Sequence, residues 1–353
     1  MQFGWRSMFG ILFSAGCLYL AFRGVHFASV IEHVSQANVP LLILSAVTAT
    51  CIFPLRARRW RPILDPIAPA LPFGTLWRPT AIGMMINNVL PVRAGELARA
   101  FALSRTTPAV PFPAALASLA VDRLFDAVVV LLLMFAAMLD PAFPSDARVF
   151  GRSMTSIAAL GVLFVVVVIG AMYAFVLFPA RVLSLYEFVA QRLAPRFQDK
   201  GRAVIVALTR GLSVLRTPSR FAAVFGWTLA HWLLNALAFW IAFRAVGITA
   251  PFSAALFLQG IIAIGVAAPQ APGFFGLFEL FGKEGLGLYG VSPDVAITWA
   301  IGFHTLSYVP ITVIGAWYFM REGLTLRELG NAERAATADV TRSVPPSLPA
   351  ERL

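Results

Sequence analysis

Charged residues are scarce in this chain of 353 residues. They make up 13% of the sequence, whereas hydrophobic residues make up 59%. Because soluble domains carry about 25% charged residues, this composition excludes an ordinary soluble domain. Lysine is nearly absent, with Lys200 and Lys283 alone, so arginine supplies almost all the positive charge. Cysteine is as rare, and Cys17 and Cys51 both lie in apolar stretches, which argues against a disulfide framework.

Motifs of metal and nucleotide chemistry are also missing. The four histidines show no HExxH or close Cys/His spacing, so we expect no metal site. The sequence contains no GxSxG, Walker A or dinucleotide fingerprint. We therefore expect no cofactor, and neither ATP-driven transport nor soluble-type catalysis within this chain.

Long apolar runs take the place of these motifs. Several are long enough for a membrane span of about 20 residues. They predict an all-α polytopic membrane protein with about six full transmembrane helices and two re-entrant or broken helical hairpins. We place the helices at 8–22, 40–55, 112–139, 153–178, 221–246 and 294–320, with a short polar stretch at 23–38. The hairpins, at 80–103 and 252–290, enter from opposite faces and are candidates for an inverted repeat.

The net charge of +11 is concentrated in short stretches beside apolar spans. That distribution fits the positive-inside rule better than nucleic-acid binding. It predicts that the N- and C-termini are both cytoplasmic. We interpret the basic cluster 56–61 as a cytoplasmic topology anchor. The expected transmembrane domain, 1–325, divides into 1–178, a cytoplasmic linker 179–220 with amphipathic helices at 182–193 and 203–215, and 221–325. A disordered tail, 326–353, follows.

The segment 87–99 places polar groups and a helix break inside an apolar region. Pro91 and Gly95 break the helix, and Glu96 and Arg99 are spaced to pair on one helical face, which leaves Arg93 free to bind a phosphate. Asn87 and Asn88 are expected either to cap the broken helix or to donate to a headgroup. A buried ion pair that only holds the hairpin together is the alternative.

Two further motifs carry buried charge. Asp122, Arg123 and Asp126 lie within about one turn of a predicted span, facing the first hairpin, where Arg93 or Arg99 can neutralise an aspartate. Proton coupling and a static network both remain open there.

The second hairpin contains the other motif. Glu279 follows its break and is either a partner for freed backbone groups or the counterpart of Glu96. We expect Lys283 to pair with Glu284 near the outer interface. His304 and Tyr308 share a helix face, with His304 packed and hydrogen-bonded. The residues expected to break this hairpin are Pro269, Pro272, Gly273 and Gly276.

The ordered set 90–99, 122–126 and 272–279 resembles the motifs of the lysylphosphatidylglycerol synthase transmembrane region, also called the flippase-like domain family. The resemblance spans about residues 8–320. Two departures are visible: the family often has Glu-Arg where Asp122-Arg123 stands, and usually Gly-Gly-x-Gly where this chain has Gly273-Phe274-Phe275-Gly276. Only about 30 residues follow the last helix, so an aminoacyl-transferase domain is not expected.

The resemblance implies a lipid translocase or lipid-handling module in a bacterial inner membrane. The expected ligand is a phospholipid or a polyprenyl- or hopanoid-type lipid, anionic or phosphate-bearing, held between the hairpins. One alternative is a membrane-embedded headgroup or glycosyl transferase. Another is a non-catalytic partner of a separately encoded lipid-modifying enzyme; a homo-oligomer is also open. The expected headgroup-binding residues are Asn87, Asn88, Arg93, Glu96, Arg99, Asp122, Arg123, Asp126 and Glu279.

Overall fold

The protein is helical over the part of the chain that the structure, a computed structural model, describes. That part comprises residues 5–90, 94–144, 148–149, 152–193, 198, 201–202, 205–206, 212, 216–266, 272–325 and 327–330. The helices are α1 (Trp5–Phe22), α2 (Phe27–Gln36), α3 (Val39–Leu64), α4 (Phe73–Val89), α5 (Gly95–Thr106), α6 (Phe112–Ala137), α7 (Met154–Leu177), α8 (Pro179–Leu193), α9 (Pro218–Ala245), α10 (Phe252–Gly265), α11 (Leu277–Gly287) and α12 (Pro293–Arg321). Strands β1 (Arg148–Val149) and β2 (Arg152–Ser153) pair antiparallel before α7.

Helices of membrane-spanning length confirm the polytopic fold class. Within the described residues, α3, α7, α9 and α12 are long and apolar enough to cross a membrane. A fifth span is available if α1 and α2, which meet at 81°, form one broken span. The predicted span at α6 is equally long, but any 18-residue stretch of it contains Asp122, Arg123 and Asp126.

Two stretches predicted to lie outside helices are helical. The polar stretch 23–38 contains α2. The basic cluster 56–61 is not a loop but belongs to α3, which ends only at Leu64. The helix continues because Trp60, Ile63 and Leu64 are buried against neighbouring helices, and burying such side chains stabilises the last turns.

The hairpin of α4 and α5 opens at one end of the helix bundle. Arg78, near the start of α4, pairs with Glu322 after α12 at 3.1 Å. Arg105, near the end of α5, pairs with Glu328 at 3.2 Å. Hydrogen bonds from the Thr325 hydroxyl and backbone N–H lower the pKa of Glu328, which favours its charged form. The two arms therefore start and finish at the end where α12 finishes.

The hairpin of α10 and α11 opens at the opposite end. The Asn38 N–H at the start of α3 donates to the Ala245 carbonyl at the end of α9 (2.8 Å), so these termini share one end. His26 contacts Asp294 at the start of α12 there. Because α10 follows α9 and α11 precedes α12, this hairpin opens where α12 begins. The opposed entry of the two hairpins is as predicted.

The two halves of the chain pack into one another rather than side by side. Helix α3 lies along α9, where the buried Ser45 hydroxyl donates to the Ala238 carbonyl (2.8 Å). Helix α7 packs on α6 by one narrow face, and its remaining faces expose large apolar side chains such as Leu163 and Val167. Such a surface suits lipid contact. Helix α8 lies at the expected amphipathic position, whereas most of 203–215 and all of 331–353 fall outside the described residues.

Candidate functional site

Seven charged side chains from α3, α5 and α6 meet inside the helix bundle. We name them the charge cluster: Arg56, Arg59, Glu96, Arg99, Asp122, Arg123 and Asp126. Asp122 is the eleventh residue of α6, so it lies roughly 15 Å along that helix from its start. The charge cluster therefore lies well inside the helix bundle, away from the end at which α6 begins.

Arg59 is the centre of the charge cluster. Its Nε lies 2.6 Å from the Asp122 carboxylate, and its Nη2 donates to Asp126 at 3.2 Å. Arg59 and Asp122 are wholly inaccessible to solvent. Since the planar guanidinium presents several donors in a fixed fork, one arginine can contact two carboxylates four residues apart on α6.

Arg99 approaches Asp122 from the hairpin arm α5. Its Nη1 lies 3.5 Å from the carboxylate, and its guanidinium lies 4.0 Å above the Trp60 ring. The Trp60 indole donates to the Ser118 hydroxyl at 2.8 Å. A cation above an indole face is attracted by the ring quadrupole. The expected neutralisation of an aspartate by Arg99 is present, with Trp60 as an additional partner.

Arg123 bridges α6 and the start of α5. It contacts the Glu96 carboxylate and, through Nη1, Asp126 at 3.2 Å. The predicted pairing of Glu96 with Arg99 is therefore wrong. Glu96 lies in the first turn of α5 beside α6, where Arg123 reaches it, while Arg99 turns toward Asp122 and Trp60.

The second half of the chain also reaches the charge cluster. Asp126 accepts hydrogen bonds from Trp232 of α9 at 2.9 Å and from Arg56 of α3 at 3.3 Å. With Arg59 and Arg123, four side chains donate to this one carboxylate. Asp126 thus ties helices from both halves together.

Sequence reasoning missed Arg56 and Arg59, which it interpreted as part of a topology anchor. A signal was available, because residues three apart share a helix face and apolar residues such as Trp60 and Ile63 follow. Arg56 and Arg59 are buried, whereas Arg58 is exposed. Nothing in the local sequence indicates the contribution of Trp232, because its partner Asp126 lies more than 100 residues earlier in the chain.

Accessibility changes from one side of the charge cluster to the other. The side chains of Arg59, Arg99 and Asp122 are 0% exposed, whereas Arg123 is 38% and Glu96 21% exposed. The open side lies directly after the first helix break. Within the described residues, the buried Nε and Nη2 of Arg99 and the Nε of Arg56 have no hydrogen-bond partner.

The first break is capped by its own asparagine. The Asn87 Oδ1 accepts from the Gly95 N–H at 2.8 Å, which satisfies a free donor at the start of α5. Asn88 instead donates to the Thr312 hydroxyl of α12 at 2.7 Å. The predicted breaker Pro91 and the predicted phosphate contact Arg93 lie outside the described residues.

The close approach of the two arms explains the glycine at the break. A Cβ on Gly95 would lie 2.0 Å from the Gly83 carbonyl oxygen. No side chain fits at that distance, so α4 and α5 contact backbone to backbone here. Only glycine at this position lets Glu96 reach Arg123 from the adjoining turn.

The second break is built from left-handed backbone and a buried acid. Gly273, Phe274 and Gly276 have φ values of 69°, 65° and 91°, and a short 3₁₀ turn (Pro272–Phe274) lies between α10 and α11. The Glu279 carboxylate accepts from the Gly276 N–H at 2.6 Å. Glu279 thus binds a freed backbone group, one of the two roles left open for it, and it does not reach the charge cluster. Pro269 is not among the described residues.

The second hairpin and α12 also contain the expected lysine–glutamate pair and the expected buried histidine. Lys283 and Glu284 pair at 3.5 Å, as predicted, and Lys283 also donates to the Leu20 carbonyl. His304 is buried and hydrogen-bonded, and its ring lies 6.4 Å from that of Tyr308 on the same face of α12.

The carboxylates of the charge cluster contact arginines rather than one another. Asp122 faces Arg59 and Arg99, and Glu96 faces Arg123. Across the described ranges, no three His, Cys, Asp or Glu side chains are grouped so that they could hold a metal ion. The arrangement is thus one of alternating charges, suited to exchanging one ionic partner for another.

The chain is similar to one protein family and to curated membrane proteins. A family model described as "Lysylphosphatidylglycerol synthase TM region" matches residues 7–315. A "UPF0104 membrane protein" of Methanothermobacter thermautotrophicus is 26% identical over 321 residues, covering 82% of this chain and 85% of that protein. "Glycosyltransferase AglD" of Haloferax volcanii is 32% identical over 117 residues, which are 33% of this chain but only 19% of that protein's length. No solved structure matches.

Proposed function

Because this chain belongs to the family of the lysylphosphatidylglycerol synthase transmembrane region, we propose that it binds the phosphate-bearing headgroup of a membrane lipid at the charge cluster and carries that headgroup across the bilayer. The acyl or polyprenyl chains stay in the membrane. Such a protein is a lipid flippase. The observation that carries the proposal is the half-exposed Arg123 at the open side of the charge cluster.

The charge balance supports an anionic ligand. The charge cluster holds four arginines and three carboxylates, so it retains one formal positive charge. A buried excess charge is costly, and a phosphate entering from the lipid side removes it. Arginine binds phosphate oxygens in pairs through its planar fork. The unpaired donors of Arg99 and Arg56 offer further hydrogen bonds to the same group.

The exchangeable contact is the one between Arg123 and Glu96. Both side chains are partly exposed. A competing anion therefore replaces this ion pair more easily than it replaces the buried pairs around Arg59. A phosphate that binds Arg123 displaces Glu96, and release of the phosphate restores the pair. Arg93, outside the described residues, stays in the proposal as a second contact beside the break.

The orientation of the protein follows from its basic residues. Arg61, Arg105 and Arg321 lie near the ends of α3, α5 and α12, which share one end of the bundle. The positive-inside rule supports a cytoplasmic location for this end. We therefore propose a cytoplasmic-membrane location, with the first hairpin entered from the cytoplasm and the second from the outside.

A transferase is the second candidate, because one relative is named a glycosyltransferase. An acid that works as a base or metal ligand must have a free lone pair. Here Asp126 accepts from Arg56, Arg59 and Trp232, which favours headgroup binding over transfer chemistry at that residue. A non-catalytic role beside a separate lipid-modifying enzyme is compatible with the same headgroup contacts.

Reconstitution into liposomes with a panel of labelled lipids tests the proposal. We expect anionic, phosphate-bearing lipids to cross faster than in protein-free liposomes, and Arg123→Gln to slow that crossing. Arg58→Gln, which removes an exposed arginine outside the charge cluster, is the matched control and retains the rate. If no lipid in the panel crosses faster than in empty liposomes, translocation is ruled out; if Arg123→Gln retains the full rate, the site assignment fails.

A further inference from the structure

His304 of α12 lies between two hydrogen-bond acceptors in the second helix break. Its Nδ1 is 2.6 Å from Glu279 Oε1, and its Nε2 is 2.7 Å from the Gly273 carbonyl oxygen. The other oxygen of Glu279 accepts from the Gly276 N–H at 2.6 Å. Glu279 and His304 are 2% and 6% exposed, so water does not readily replace these partners.

The contacts of His304 and Glu279 contain one donor too few unless an additional proton is bound. A neutral imidazole has one donor and one acceptor nitrogen, while a carbonyl and an ionised carboxylate only accept. Both contacts of His304 are satisfied only if the imidazole is doubly protonated or if Glu279 itself carries a proton. We propose that His304 and Glu279 form a proton-binding site, and that the bound proton holds the second helix break closed.

Loss of the proton to water opens the break. One contact of His304 then places a lone pair against an acceptor, and a buried acceptor without a donor is costly. Either the Gly273 carbonyl or Glu279 must move away. Since Glu279 also holds the Gly276 N–H at the start of α11, its movement frees that backbone donor beside the left-handed residues.

The surroundings offer no charge that replaces the proton. The Phe275 and Phe278 rings lie 4.5 and 4.6 Å from the imidazole. Tyr308 on α12 is a titratable neighbour, with its ring 6.4 Å from the imidazole, and α1, which packs against α11, carries the buried thiol of Cys17. No arginine, lysine or third carboxylate contacts the pair among the described residues. Among the described residues, no charged side chain can therefore take the place of the proton that satisfies both contacts of His304.

The proton site is connected to the first hairpin through one face of α12. Tyr308 follows His304 by four residues, and its hydroxyl donates to the Asn88 carbonyl at 3.1 Å. Thr312, four residues further, accepts from the Asn88 side chain. A Cβ on Gly273 would lie 2.8 Å from the Tyr308 ring. Because the two groups are in close contact, a movement of Gly273 also displaces that ring. The inference is independent of headgroup binding at the charge cluster.

Hydrogen–deuterium exchange of the full-length protein across a pH series tests the proposal. After correction for the intrinsic pH dependence of exchange, peptides covering 272–280 are expected to exchange faster as pH rises. Glu279→Gln is expected to abolish this dependence. Its amide oxygen accepts from Gly276 while its NH₂ group donates to a neutral Nδ1, which leaves the Nε2–H for Gly273.

The control is His33→Gln, which removes a histidine of α2 whose ring contacts the Ser29 carbonyl of the same helix. This variant is expected to retain the wild-type pH dependence. Two results overturn the proposal: corrected exchange of 272–280 in the wild type that is independent of pH, or the wild-type pH dependence persisting in Glu279→Gln. The wild-type series decides the first point even if the variant does not fold. Lipid-translocation assays play no part in the readout, so failure here leaves the charge cluster proposal standing.

Discussion

Arg58 and Arg59 are neighbours in the sequence with opposite environments. Arg58 is exposed, and its guanidinium lies 4.7 Å above the Phe73 ring. Arg59 is fully buried between Asp122 and Asp126. Adjacent residues of a helix point about 100° apart, so a basic cluster on a buried helix necessarily divides into surface and interior members. The positive-inside rule accounts only for the surface members.

Replacing Arg59 by alanine is expected to destabilise the protein strongly. Removing one partner of a buried ion pair typically costs about 3–5 kcal/mol, because the remaining charges stay buried without compensation. Arg58→Ala, the matched control, should change stability by less than about 1 kcal/mol. Thermal unfolding in detergent compares the two variants. Equal effects would show that Arg59 is not the centre of a buried network.

Helix breaks are the elements that the sequence predicts most directly. Proline and glycine interrupt apolar runs near residues 91–95 and 272–276, and the structure ends α4 at Val89 and begins α11 at Leu277. The partner of each break was less predictable. Asn87 caps the first break and Glu279 the second, but the pairing of Glu279 with His304 depends on how α11 packs against α12.

Gly95→Ala is expected to separate the arms of the first hairpin. The new Cβ would lie 2.0 Å from the Gly83 carbonyl oxygen, so backbone must move, and such overpacking costs about 1–3 kcal/mol. Gly74→Ala, on the same hairpin, places its Cβ in open space and serves as the control. A lowered melting temperature for Gly95→Ala alone is the expected result. Unchanged melting of both variants would contradict the backbone-to-backbone contact.

The overall topology follows from counting charges and spans, whereas the site does not. The apolar lengths of α3, α7, α9 and α12 and the basic ends of the spans suffice to predict two hairpins entered from opposite ends. In the charge cluster, Asp126 of α6 accepts hydrogen bonds from Arg56 and Arg59 of α3, and also from Trp232 of α9. These side chains come together because helices distant in the sequence pack against one another. A single sequence carries no direct signal of that packing. The inverted-repeat relation between the halves stays a prediction.

Retention of an anionic phospholipid by the purified protein tests the central claim most directly. Native mass spectrometry can compare phosphatidylglycerol binding by the wild type, Arg123→Gln and Glu96→Gln, with Arg58→Gln as control. We expect Arg123→Gln to weaken binding by about tenfold or more, the loss of one charge-assisted hydrogen bond of about 1.5–3 kcal/mol. Glu96→Gln should strengthen binding, because it removes the carboxylate that competes with the phosphate for Arg123. Equal affinity in the wild type and both variants, or equal retention of a diacylglycerol that lacks phosphate, would contradict the account.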